Sequence, residues 1–140
     1  MNGHQYTVEF RIWSPTLDPA EITRELGLQP CQIRIEGAPG LGGRPQNGLW
    51  AYDGGEGPVN FESLEDGLTF VLDKLWPLRA AIAKYKDSGE LVWWCGNFQR
   101  SVDGGPRLSP DILRRLGDFG AYLFIDTYFV ADEAAEQPEG

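Results

Sequence analysis

Two apolar periods alternate along this chain, and together they predict an α+β fold. Tyr6, Val8, Phe10 and Ile12 recur at every second place, the period of a strand with one buried face. Leu64, Leu68, Val71, Leu72 and Leu75 recur at steps of three and four, giving a helix with one apolar stripe, and such a stripe needs a sheet to cover. With 140 residues, 41% of them hydrophobic, the chain is long enough for one core. The expectation is a single α+β domain over residues 1–131 and an acidic disordered tail over 132–140.

In chain order, Gln5 to Trp13 is the first strand, ended by Ser14-Pro15. Asp18-Pro19 supplies an N-cap and a proline at the first helical position. Glu21 stands at the capping-box place, Ile22 and Leu26 face inward, and Gly27 closes the helix in the left-handed conformation. Gln32 to Glu36 is a short strand with Ile33 and Ile35 on one face. Leu49 to Tyr52 is its expected partner, set between two glycine-rich loops expected to be flexible.

The main helix runs from Ser63 to Tyr85. Pro77 has no N–H and disfavours helix at the residue before it, so a kink or restart is expected there. Leu78, Ile82 and Tyr85 continue the stripe, and Asp87-Ser88-Gly89 stops it. Glu90 to Cys95, rich in tryptophan and valine, is a strand, and Gly96 to Arg107 reads as a turn-rich connection. Ser109-Pro110-Asp111 opens a last helix with Ile112, Leu113 and Leu116 inward, and Ala121 to Val130 is the last strand. This order predicts a ferredoxin-like split βαβ (β-α-β-β-α-β) extended by a C-terminal helix and strand, with the helices on one face of a mainly antiparallel sheet.

Charge and composition narrow the partners. Acidic residues number 21 against 12 basic, a net charge of −9. Such a field repels DNA and RNA and attracts a basic protein. No apolar run reaches the roughly 18 residues of a spanning helix, and the first thirteen residues alternate instead of forming a leader's apolar block, so neither a membrane nor secretion is expected. Cys31 and Cys95, far apart and without CxxC spacing, fit a reducing cytoplasm.

The residues of catalysis are sparse. His4 is the single histidine and sits in an N-terminus expected to be mobile, so no nucleophile has a histidine base to hand. One histidine and two separated cysteines make no zinc signature, and Asp53, Glu56, Glu62, Glu65 and Asp66 lack calcium-loop spacing. The run from Gly37 to Arg44 lacks the lysine and hydroxyl residue of a phosphate cradle, leaving anion contact by Arg44 as its residual role. Glu62 with Glu65, or Glu65 with Asp73, would need a cleft that shifts one pKa before they could act as acid and base. The expectation is no enzyme, no cofactor and no metal.

The strongest functional signal is aromatic. With Tyr6, Val8, Phe10 and Ile12 toward the helices, the other face of the first strand shows Glu9, Arg11 and Trp13. The last strand divides into Leu123, Ile125, Thr127 and Phe129 against Tyr122, Phe124, Asp126 and Tyr128, so both its faces are apolar or aromatic. One of Trp93 or Trp94 joins the outward face, as does Arg34. The candidate binding residues are Arg11, Trp13, Arg44, Trp50, Phe124, Asp126 and Tyr128. Rings mixed with a few charges suit an interface or a pocket. Three occupants fit: the glycine-rich loop or Trp50 folded back as a second core layer, a second copy as a homodimer, or a heterologous protein or ligand.

Several landmarks coincide with one family. Phe10-Arg11-Ile12, Leu17-Asp18-Pro19, Ile22 and Leu26-Gly27-Leu28-Gln29-Pro30 form the first group. Gly37, Gly48-Leu49-Trp50, Leu75 and Pro77 follow. Leu108 to Leu113, Leu116, Gly120-Ala121 and Ile125-Asp126-Thr127-Tyr128 complete the set. In this order they resemble the bacterial domain-of-unknown-function 4279 family. The resemblance implies a small bacterial α/β protein and no established activity, so it transfers no catalytic residue. The function expected from all of this is non-catalytic protein binding, either toxin-neutralising and immunity-like or regulatory. The alternative is a small-molecule sensor using the aromatic sheet face and Arg44.

Overall fold

The computed structural model describes residues 3–35 and 48–130. Expectations placed on the run from Gly37 to Arg44 and on the acidic tail lie outside them. The described elements are β1 (Gln5–Ser14), α1 (Pro19–Leu26), β2 (Gln32–Arg34), β3 (Gly48–Tyr52), α2 (Leu64–Leu75), α3 (Arg79–Ala83), β4 (Glu90–Gln99), α4 (Pro110–Phe119) and β5 (Tyr122–Phe129). The fold is α+β, with a five-stranded sheet in the order β2-β3-β1-β4-β5. β1 is antiparallel to β3 and β4, β2 is antiparallel to β3, and β5 runs parallel to β4. Because β5 adds beside β4, the strand order differs from that of a plain ferredoxin-like sheet.

Local sequence explains where the helices begin and end. Asp18 and Ser63 accept the Ala20 and Asp66 N–H groups as side-chain N-caps, and Ser109 does the same for Ile112. Gly27 and Gly120 close α1 and α4 at φ of 69° and 84°, a conformation that favours glycine. Pro77 sits in a 3₁₀ segment, Trp76–Leu78, between α2 and α3, so the long helix does break where proline removes an N–H. Glu65 ties two helix starts together: its carboxylate accepts the Ser109 N–H at 2.6 Å and the Ser109 hydroxyl at 2.9 Å. Asp73 pairs with Arg115 at 2.8 Å. Both carboxylates of that candidate pair therefore serve contacts between α2 and the α4 segment.

One core lies between the sheet and the helices. Phe10 and Trp93 pair across β1 and β4 and meet Phe119 of α4, with ring centroids 5.1 to 5.3 Å apart. Ile22 and Leu26 of α1 and the stripe of α2 join the same cluster. Gly67 lets α2 approach β1, since a Cβ there would stand 2.8 Å from Val8 Cγ2. In α4 the inward set is Ile112, Leu116 and Phe119; Leu113, expected inside, is 51% exposed because it falls off the stripe that these three define.

Two expectations about the ends of β1 and β4 are corrected. His4 is 2% exposed and well tethered: Nδ1 accepts the Arg100 N–H at 3.1 Å, and Nε2 donates to the Asp103 carbonyl at 2.7 Å. It holds the loop after β4 against the start of β1. Replacing His4 with phenylalanine leaves that N–H and that carbonyl without the imidazole and is expected to cost about 1–3 kcal/mol, measured by urea unfolding. Gly96 does not start a turn. It lies inside β4 opposite Thr7, where a Cβ would come within 2.4 Å of Thr7 Oγ1 and 2.9 Å of the Phe98 ring. Glycine is there to permit close packing, and the strand continues to Gln99.

Candidate site on the outer sheet face

Register decides which rings point away from the helices. Arg11 pairs with Val92, Glu9 with Trp94 and Gln5 with Phe98. In turn Val92 pairs with Tyr122, Trp94 with Phe124, Gly96 with Asp126 and Phe98 with Tyr128. Since paired residues share a face, Trp94 is the tryptophan that faces outward, and Trp93 belongs to the core.

The outward side chains form two ring groups. Trp94 packs on Phe124 with centroids 4.4 Å apart and meets Trp13 edge-on at 5.7 Å. The Arg11 guanidinium lies 4.4 Å over Trp94 while its Nε donates to Glu9 at 2.9 Å, so the cation is held by a ring and a carboxylate together. Farther along, Phe98 stacks on Tyr128 at 5.2 Å and 16°, and the Tyr128 hydroxyl donates to Asp126. That hydrogen bond raises the Tyr128 pKa above its ordinary value.

Exposure rises across this face. Leu49 and Ala51 of β3 are fully buried, whereas Phe124 and Tyr128 of β5 are 43% and 47% exposed. Between them Trp13, Val92, Trp94, Tyr122 and Phe124 border an open hollow of 450 Å³. The Trp13 indole N–H is buried and has no hydrogen-bond partner among the described residues.

Of the residues expected to bind, Arg11, Trp13, Phe124, Asp126 and Tyr128 share this face. Trp50 does not. It pairs with Ile12, points into the helix side, is 0% exposed, and donates its indole N–H to Thr23 Oγ1 at 3.1 Å. Its parity within β3 follows from the β1 pairing, which the sequence around Trp50 does not display. Arg44 lies outside the described residues. Phe98 was not anticipated; the signal that finds it is the alternation Val92, Trp94, Gly96, Phe98 once Gly96 is read as part of the strand.

Nucleophiles are muted. Burial pushes the Cys95 thiol up to about 12; Cys31 is an exposed residue, yet partial desolvation of its thiol and the negative charges of Glu9 and Asp53 push it the same way. Among the described residues, no group of three or more His, Cys, Asp or Glu could hold a metal ion, and no helix is long and apolar enough to cross a membrane.

No curated protein and no solved structure matches the chain. A family model does: domain of unknown function (DUF4279), over residues 4–130, which takes in every element from β1 to β5. The chain belongs to that family.

Proposed function

We propose that this chain is a non-catalytic protein-binding module of the bacterial cytoplasm, toxin-neutralising or regulatory, whose contact surface is the outer face of β1, β4 and β5. The observation that carries the reading is the two ring groups on one face, Trp13 with Trp94 and Phe124, and Phe98 with Tyr128, whose β5 side is open to solvent. Exposed aromatic rings next to a guanidinium are the usual anchors of protein interfaces. The net charge of −9 favours a basic partner and speeds encounter with it. The order β2-β3-β1-β4 also supports reading the fold as a ferredoxin-like split βαβ with β5 appended.

The test is affinity capture from the native host, followed by titration of the purified partner at low and high salt. The Trp94→Ala/Phe124→Ser double variant is expected to weaken binding more than ~10-fold, and added salt to weaken it further. Binding untouched by both would end the proposal. A second reading, a small-molecule sensor, draws support from the hollow that Trp13, Trp94 and Phe124 border, where a planar ligand would stack on the rings. It predicts quenching of tryptophan fluorescence by such a ligand, removed by Trp13→Ala.

A further inference from the structure

β5 ends the sheet beside β4 and has no strand on its other side among the described residues. Its side chains are unusually bare: Tyr122 is 66% and Phe129 70% exposed, with Leu123, Phe124 and Tyr128 between 38% and 47%. Natural edges are blunted by proline, lysine or bulges. The run Tyr122–Phe129 has none of these; its single charge is Asp126, and its pairing with β4 is unbroken from Tyr122 to Phe129. The backbone is aligned as well. Val130 N–H donates to the Gln99 carbonyl, so by alternation the even-numbered residues turn their N–H and C=O groups toward β4. Leu123, Ile125, Thr127 and Phe129 then present theirs to the open edge.

We propose that a second copy of this chain pairs antiparallel with the β5 edge, joining two sheets across a two-fold axis at Ile125. Identical edges that close into a pair do so about a two-fold axis. An axis perpendicular to the sheet makes the strands antiparallel and keeps each face continuous. With the axis at Ile125, that residue meets the partner's Ile125 as a hydrogen-bonded pair, Leu123 meets the partner's Thr127, and Tyr122 meets the partner's Tyr128. Moving the axis to Asp126 would set two carboxylates directly opposite in the closer, non-hydrogen-bonded position, which is unfavourable.

The area suits a weak, reversible pair. Taking roughly 200 Å² per aromatic side chain, the exposed part of the five bare side chains is about 500 Å² per copy. Two copies can bury at most about 1,000 Å² of it, the range of a transient interface. A basic protein fits this edge less well than a copy does, because the edge offers one carboxylate, Asp126, and the Tyr128 hydroxyl already donates to it. Salt separates this pairing from the heterologous contact proposed above. Two chains of net charge −9 associate more strongly as salt screens them, whereas capture of a basic partner weakens.

Sedimentation of the full chain over a concentration series is expected to show a reversible particle of twice the chain mass, favoured by salt. Thr127→Pro removes an N–H that faces the open edge and not β4, so it is expected to give a folded monomer. Phe129→Lys, at the strand end, is expected to do the same with an unchanged unfolding midpoint in dilute solution, whereas Thr127→Pro also loses the hydroxyl that accepts from the Asn97 side chain at 3.2 Å and is expected to be folded but less stable. Cα atoms of a hydrogen-bonded antiparallel pair stand about 5.5 Å apart, within disulfide reach. Ile125→Cys in a Cys31→Ser/Cys95→Ala background, which removes the thiol that stands beside residue 125 on β4, is therefore expected to oxidise to a linked dimer faster than an Asp111→Cys control on α4 in the same background. A wild-type chain monomeric at every concentration, a dimer that survives both β5 variants, or linkage no faster than the control would overturn the pairing.

Discussion

Trp50→Ala is expected to bring the domain close to unfolding, with a loss of about 3–5 kcal/mol set against the roughly 5–15 kcal/mol that holds such a domain together. Trp50 is fully buried beneath α1, stacks on Tyr52 with ring centroids 6.0 Å apart, and donates to Thr23 Oγ1. Truncation opens a large cavity and leaves that hydroxyl without its indole donor. Urea unfolding should show a lower midpoint with little change in slope. A surface tryptophan would cost far less, so a loss within ~0.5 kcal/mol would return Trp50 to the surface.

Phe10→Ala is expected to cost a comparable 3–5 kcal/mol, because Phe10 is the ring that links the two halves of the core. It touches Trp93 of β4 and meets Phe119 of α4 edge-on at 84°. Phe119→Ala removes part of the same cluster, so the two losses should fall short of additive. A double-mutant cycle is expected to give about 0.5–1.5 kcal/mol of coupling. Full additivity would mean that α4 does not pack over β1 and β4.

Much of this architecture can be read from the residues. The β1 alternation, the Asp18-Pro19 and Ser109-Pro110 helix starts and the break at Pro77 are local signals, each governed by atoms within a few residues. The misread features are set by distant atoms. Gly96 reads as a turn until Thr7 is known to lie opposite it. Trp50 reads as exposed until its pairing with Ile12 fixes its side of the sheet. His4 reads as loose until Arg100 and Asp103 arrive beside it. The outer face follows the same division: Arg11, Trp13, Phe124, Asp126 and Tyr128 come from period-two strands at both ends of the chain, while Phe98 was hidden by the glycine two places before it.

The account rests on a sheet whose helix side buries Phe10, Trp50 and Trp93 and whose outer face opens at β5, and hydroxyl-radical footprinting of the dilute chain, read residue by residue by mass spectrometry, measures that division directly. Phe124, Tyr128 and Tyr122 are expected to oxidise rapidly, and Phe10, Trp50 and Trp93 slowly, in keeping with their exposure. Oxidation of Trp50 or Trp93 at the rate of Phe124, or protection of Phe124 and Tyr128 equal to that of Phe10, would contradict it.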